Sequence, residues 1–197
     1  MKNKKLFGIV LTALYAALLA IMAFTPLGYI PTGAFNITLM FLPVIFGAIS
    51  IGPAVGALLG ALFGLTSFLQ AFGIGFVIDP LASVLFTTNP LYYTLVCFVP
   101  RIIMGLGVGL IFKGLKRIDK TPVLSYIVAS ASAVVLNTAL FMTGYYLAYR
   151  NTILSGTSVK VIVMSALTLN SLCELLVAVI VGSSVSIAVT RAVNKLK

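Results

Sequence analysis

Residues 90–120 read PLYYTLVCFVPRIIMGLGVGLIFKGLKRIDK. An apolar run, interrupted by a single charge at Arg101, ends in the cations Lys113, Lys116, Arg117 and Lys120. From Pro90 to Phe112 the run reaches about 35 Å as a helix at 1.5 Å per residue, enough to cross a ~30 Å hydrocarbon core. The cations at its far end mark the cytoplasmic face by the positive-inside rule.

The rest of the 197-residue chain has the same character: 61% hydrophobic, 8% charged, with a mean hydropathy of +1.19. A soluble domain needs far more polar surface. The fold class expected is an all-α membrane protein with six transmembrane helices in one domain, 1–197, and both termini cytoplasmic. The spans fall at about Leu6–Phe24, Ile37–Ser50, Pro53–Phe72, Pro90–Phe112, Val123–Tyr149 and Val161–Thr190. The start MKNKK plus an apolar run resembles a signal peptide, but with no convincing cleavage site it reads as an uncleaved first span. Six spans put all three basic clusters, Lys2/Lys4/Lys5, Lys113–Lys120 and Arg191–Lys197, on one side. The net charge of +10 thus reads as a topology signal, with the lipid bilayer and not nucleic acid as the partner.

The second span is short, and is tilted, buried by neighbours or extended into the loop before it. The outer loops at 25–36 and 73–89 are long, nearly uncharged and semi-apolar. They read as lids over a binding site or as interfacial segments. Small residues recur at helical spacing: Ala13, Ala16, Ala17 and Ala20 in the first span, Gly52, Gly56, Gly60 and Gly64 in the third, Gly105 and Gly109 in the fourth. Such stripes let membrane helices pack backbone to backbone. The glycines suit internal packing. The alanines suit that or a partner helix.

Charge deep in the membrane is costly and usually paired or functional. Arg101 and Glu174 both lie about 16–20 Å from the outer ends of their spans, near the midplane. Asn170 shares a helix face with Glu174, and Asn137 sits at a similar depth. Arg101, Asn137, Asn170 and Glu174 can ring one polar pocket opening outward, with Asn89 and Tyr93 near its mouth. An Arg101–Glu174 ion pair fastening two helices is the competing reading. Cys97 and Cys173 read as packed thiols. Enzyme chemistry finds little support: there is no histidine and there are three acidic residues, with no phosphate loop or zinc motif.

FNITLMFLPVIFGAISIGPAVGALLGALFGLTSFLQAFG (35–73) and NPLYYTLVCFVPRIIMGLGVGLIFKGLKR (89–117) resemble the substrate-binding S components of energy-coupling factor (ECF) vitamin transporters. The resemblance implies a six-helix subunit that captures a vitamin from outside, carries no ATPase and no cofactor, and docks on an ECF module of a coupling subunit and two ATPases. It implies that Ala13, Ala16, Ala17 and Ala20 form the docking face and that the outer loops gate the site. TPLGYIPTGAFNITLMFLPVIFGAI (25–49) is most similar to the pantothenate type, while Phe41 stands where relatives often carry histidine. Pantothenate is thus the first ligand expected, with Arg101 on its carboxylate. Asn137, Asn170 and Glu174 would serve its polar groups or orient Arg101. Asn36, Thr38 and Asn89 would line the lid side. Riboflavin or another vitamin stays open, as does a stand-alone secondary transporter, although no convincing repeat relates the two halves of the chain.

Overall fold

The computed structural model describes residues 2–31, 36–76, 80–119, 122–151 and 169–195. Helix α1 (Lys2–Ala23) leads into a hairpin of two short strands, β1 (Tyr29–Pro31) and β2 (Asn36–Thr38). Then come α2 (Phe41–Ser50), α3 (Pro53–Leu69) with a 3₁₀ turn over Gln70–Phe72, α4 (Pro80–Thr88), α5 (Pro90–Leu115) and α6 (Pro122–Tyr149). A final rod comprises α7 (Leu169–Val177), a π-helical turn over Ala178–Gly182, and α8 (Ser183–Lys195). Among the described residues, five segments are long and apolar enough to cross a membrane: Leu6–Ala23, Pro53–Phe72, Pro90–Leu115, Val123–Tyr149 and Ser171–Val193. This is a multi-pass, predominantly helical membrane protein. Residues 161–168 of the expected last span lie outside the described part.

The short second span resolves in favour of burial. Helix α2 has 10 residues, all of them buried, and is about 15 Å long. It packs against α1, α3, α5, α6 and α8. With neighbours covering it, α2 needs no lipid contact and no full crossing length. Residues 37–38, expected to begin this span, instead belong to β2, which pairs antiparallel with β1 in the register Tyr29–Thr38, Ile30–Ile37 and Pro31–Asn36. The 73–89 loop contains α4, so it is not a plain connector.

Helices α3 and α5 are the most closely applied pair. A Cβ on Gly56 would stand 2.2 Å from the Gly105 carbonyl oxygen, and one on Gly105 2.0 Å from that of Gly56. A Cβ on Gly60 would stand 2.1 Å from the carbonyl oxygen of Arg101. Gly64 meets Cys97 and Gly109 meets Pro53 in the same antiparallel register. The glycine stripe is therefore internal packing: bare backbone faces bare backbone, where dispersion acts at the shortest range. It also fixes the height at which α5 carries Arg101.

Candidate functional site

Arg101 lies one residue after the proline inside α5. Pro100 has no N–H, so the Val96 carbonyl four residues earlier loses its helical donor. Arg101 supplies one: Nη1 donates to the Val96 oxygen at 2.7 Å. The side chain thereby turns back along its own helix. Its guanidinium carbon lies 4.6 Å from the Phe141 ring centroid, on α6, and 5.5 Å from that of Phe63, on α3. Two aromatic faces thus hold the cation. Arg101 is 8% exposed, and its Nε has no hydrogen-bond partner.

A second orphan lies on α6, the helix that carries Phe141. Asn137 lies one turn from Phe141 on α6, and its Oδ1 is buried without a partner. Buried polar atoms are nearly always satisfied. Arg101 on α5 thus leaves one donor unmet and Asn137 on α6 one acceptor, the two kinds of group that a polar ligand can satisfy.

The β1–β2 hairpin is tied to the helices at two points. The Thr38 N–H donates to Glu174 Oε1 at 2.9 Å, tying β2 to α7. Gln70 Nε2 donates to the Tyr29 hydroxyl at 2.9 Å, tying β1 to the end of α3. Tyr29 is buried. Burial raises its phenol above the ordinary value, and the Gln70 hydrogen bond and then the nearby Arg101 charge partly offset this. The main chain adds Leu39 N–H to the Gly28 carbonyl at 2.9 Å.

Helix α4 packs against the 3₁₀ turn after α3 and against α5. Phe86 packs edge-on against Phe68, Phe72 and Tyr93. The Tyr149 hydroxyl donates to the Leu85 carbonyl at 3.1 Å, and Ser83 donates to that of Ala71 at 2.8 Å.

Of the expected site residues, the structure brings Arg101 and Tyr93 to the α3–α5 side, Asn137 to the adjoining α6, and Thr38 together with Glu174. The anticipated alternative of an Arg101–Glu174 pair is not what forms: Glu174 takes the Thr38 N–H, and Arg101 takes the Val96 carbonyl. Tyr93 donates to the Ser67 carbonyl at 3.0 Å and so fastens α5 to α3. Asn89 is the N-cap of α5, its side chain accepting from the Tyr92 N–H at 3.1 Å. Asn36 lies on β2 and Asn170 on α7; their side chains are outside the described part. Ala13, Ala17 and Ala20 share an exposed face of α1, whereas Ala16 packs inward. Sequence reasoning missed Tyr29, Gln70, Phe63 and Phe141. It also passed over one legible signal, a proline immediately before the buried arginine.

The family model described as "ECF transporter, substrate-specific component" matches residues 7–186. The chain belongs to this family. It is 28% identical to the pantothenic acid transporter PanT of Lactococcus lactis subsp. cremoris over 202 aligned positions, covering 98% of this chain and 99% of that protein. It is 32% identical to the pantothenate transporter PanT of Leuconostoc mesenteroides subsp. mesenteroides over 117 positions, 57% of this chain and 53% of that protein. This substrate-specific component thus has a near full-length relative named for the transport of one vitamin.

Proposed function

We propose that this ECF substrate-specific component binds pantothenate from outside the cell and delivers it to a coupling subunit and two ATPases. The subunit is one six-helix domain with both termini cytoplasmic and no ATPase of its own. Arg101 takes the pantothenate carboxylate, Asn137 accepts from an amide N–H or hydroxyl, and Asn170 and Asn36 complete the polar lining. The observation that carries this reading is the pair of buried orphans, Arg101 Nε and Asn137 Oδ1. Pantothenate offers what each lacks: a carboxylate for the cation, and donors for the amide oxygen. The relatives' names support the choice of vitamin.

On this reading the hairpin is the gate. Its two ties, Thr38–Glu174 and Tyr29–Gln70, close over bound ligand. The exposed alanine face of α1 docks on the coupling subunit, whose ATPases drive inward release. Native mass spectrometry of the protein purified from cells grown in rich medium tests the proposal. A retained mass equal to pantothenate supports it. Retention of a different vitamin, or failure to bind pantothenate on addition, overturns it.

A further inference from the structure

At the opposite end of the bundle from the hairpin, a cavity of about 330 Å³ opens between the start of α6 and the end of α8. Lys116 and Asp119 line it from the turn after α5, Ser125 from the first turn of α6, and Thr190 and Arg191 from α8. The Asp119 carboxylate is engaged locally: it accepts from the Ser125 N–H at 2.8 Å and from the Ser125 hydroxyl at 2.5 Å, capping the start of α6. Two cations thus line the cavity, Lys116 with its Nζ also 5.5 Å from the Phe112 ring centroid, against one carboxylate already turned to the helix end.

Thr190 is 7% exposed, and its hydroxyl has no partner. Ser186, one turn deeper on the same face of α8, is fully buried and carries a second unpartnered hydroxyl. An orphaned hydroxyl in the wall of a cavity that two cations also line marks a place for an oxygen-rich anion. Val123, Ile187 and the Tyr126 ring complete the wall, and Val123 is half-exposed. Ile118, three residues past the end of the apolar span Pro90–Leu115, is an apolar side chain 81% exposed.

We infer that this cavity is a phosphate site: Lys116 and Arg191 hold a phosphate anion, and Thr190 donates to one of its oxygens. The position of the site at a helix boundary, with an apolar wall on one side, matches the phosphate of an anionic phospholipid whose acyl chains lie along Val123 and Ile187. Free phosphate shares this chemistry. The site is independent of which vitamin the outer pocket takes; only the choice of inner leaflet rests on the proposed orientation.

Native mass spectrometry of the full chain in detergent, titrated with phosphatidylglycerol or phosphatidylcholine and repeated with inorganic phosphate, is the test. One phosphatidylglycerol is retained per chain in preference to phosphatidylcholine. Replacing both cations (Lys116→Gln with Arg191→Gln) weakens that retention roughly 30-fold at two basic contacts, and Thr190→Val weakens it less. The control pair Lys113→Gln with Arg117→Gln removes the same charge from side chains outside the cavity and leaves retention unchanged. Vitamin binding at the outer site, unchanged in every variant, shows that each has folded. Competition of inorganic phosphate for the retained lipid supports the site and assigns its occupant to solution. Equal retention of the two lipids without phosphate binding, or equal loss in the control pair, overturns the inference.

Discussion

The Thr38 main-chain N–H donates to the Glu174 carboxylate at 2.9 Å across 136 residues of sequence, so one side chain of α7 holds the β1–β2 hairpin down. Glu174 is 7% exposed. Hydrogen bonds to charged groups contribute about 1.5–3 kcal/mol. Glu174→Ala is expected to speed ligand dissociation by roughly 10–100-fold, read by stopped-flow or by chase with unlabelled vitamin. Glu174→Gln keeps an acceptor and stays much closer to the parent rate.

The Tyr29–Gln70 tie makes a separate prediction. Tyr29→Phe removes the acceptor of the Gln70 amide and should raise the dissociation rate several-fold with little change in melting temperature. The pH dependence has a definite sign. Burial raises the Tyr29 phenol above its ordinary value. A raised value stabilises the closed hairpin fully below the unfolded phenol's range, and this is lost as pH rises through the folded value. Hairpin closure, followed by ligand off-rate, is therefore flat from about pH 6 to 9 and weakens only at higher pH.

Pro100 sets up a test of how Arg101 is aimed. Pro100→Ala restores the N–H that normally bonds the Val96 carbonyl. The helix regains its own bond, Arg101 Nη1 loses its anchor, and the guanidinium drifts from its place between Phe63 and Phe141. Melting temperature should hold or rise while pantothenate affinity falls by about tenfold or more, in line with a loss of about 1.4 kcal/mol. A variant that loses stability and keeps affinity would count against this role for the proline.

The glycine register predicts a sharp contrast. Gly60→Ala places a methyl 2.1 Å from the Arg101 carbonyl oxygen, and Gly105→Ala one 2.0 Å from that of Gly56. Backbone cannot yield as a side-chain tip can, so each variant should lose about 1–3 kcal/mol or more, visible as a lowered melting temperature in detergent. Gly8→Ala and Gly114→Ala meet nothing within 4 Å and serve as neutral comparisons.

The exposed alanines of α1 can be separated from the binding site. Ala13→Leu with Ala17→Leu puts bulk on a face that touches lipid or partner. Vitamin binding by the isolated subunit should be unchanged, while co-purification with the coupling module and uptake into cells are lost.

The transmembrane helices were readable because lipid demands long uncharged runs and leaves few other solutions. That Arg101 and Glu174 stand out was readable for the same reason, since charge inside such runs is rare, and both are buried. What each of them touches was not. Glu174 bonds a backbone N–H, and a backbone partner leaves no mark in the sequence. Phe63 and Phe141 are two of 13 phenylalanines, and nothing in their spacing singles out the pair that meets Arg101. The hairpin escaped because three residues per strand are too few for alternation to register. Helix α2 began later than hydropathy suggested because Ile37 and Thr38 are apolar enough to extend the run yet are held in β2 by the Tyr29 register.

The most direct test of the account compares pantothenate with pantothenol, the analogue in which a hydroxymethyl group replaces the carboxylate, on the parent protein and on Arg101→Met by calorimetry. The parent should bind pantothenate far more tightly than pantothenol. Arg101→Met should lose roughly 30-fold or more for pantothenate, as expected when one partner of a buried charged pair is removed, while keeping its pantothenol affinity, which shows the site still folded. Equal binding of the two compounds by the parent, or undiminished pantothenate binding by Arg101→Met, would contradict the assignment of Arg101 to the ligand carboxylate.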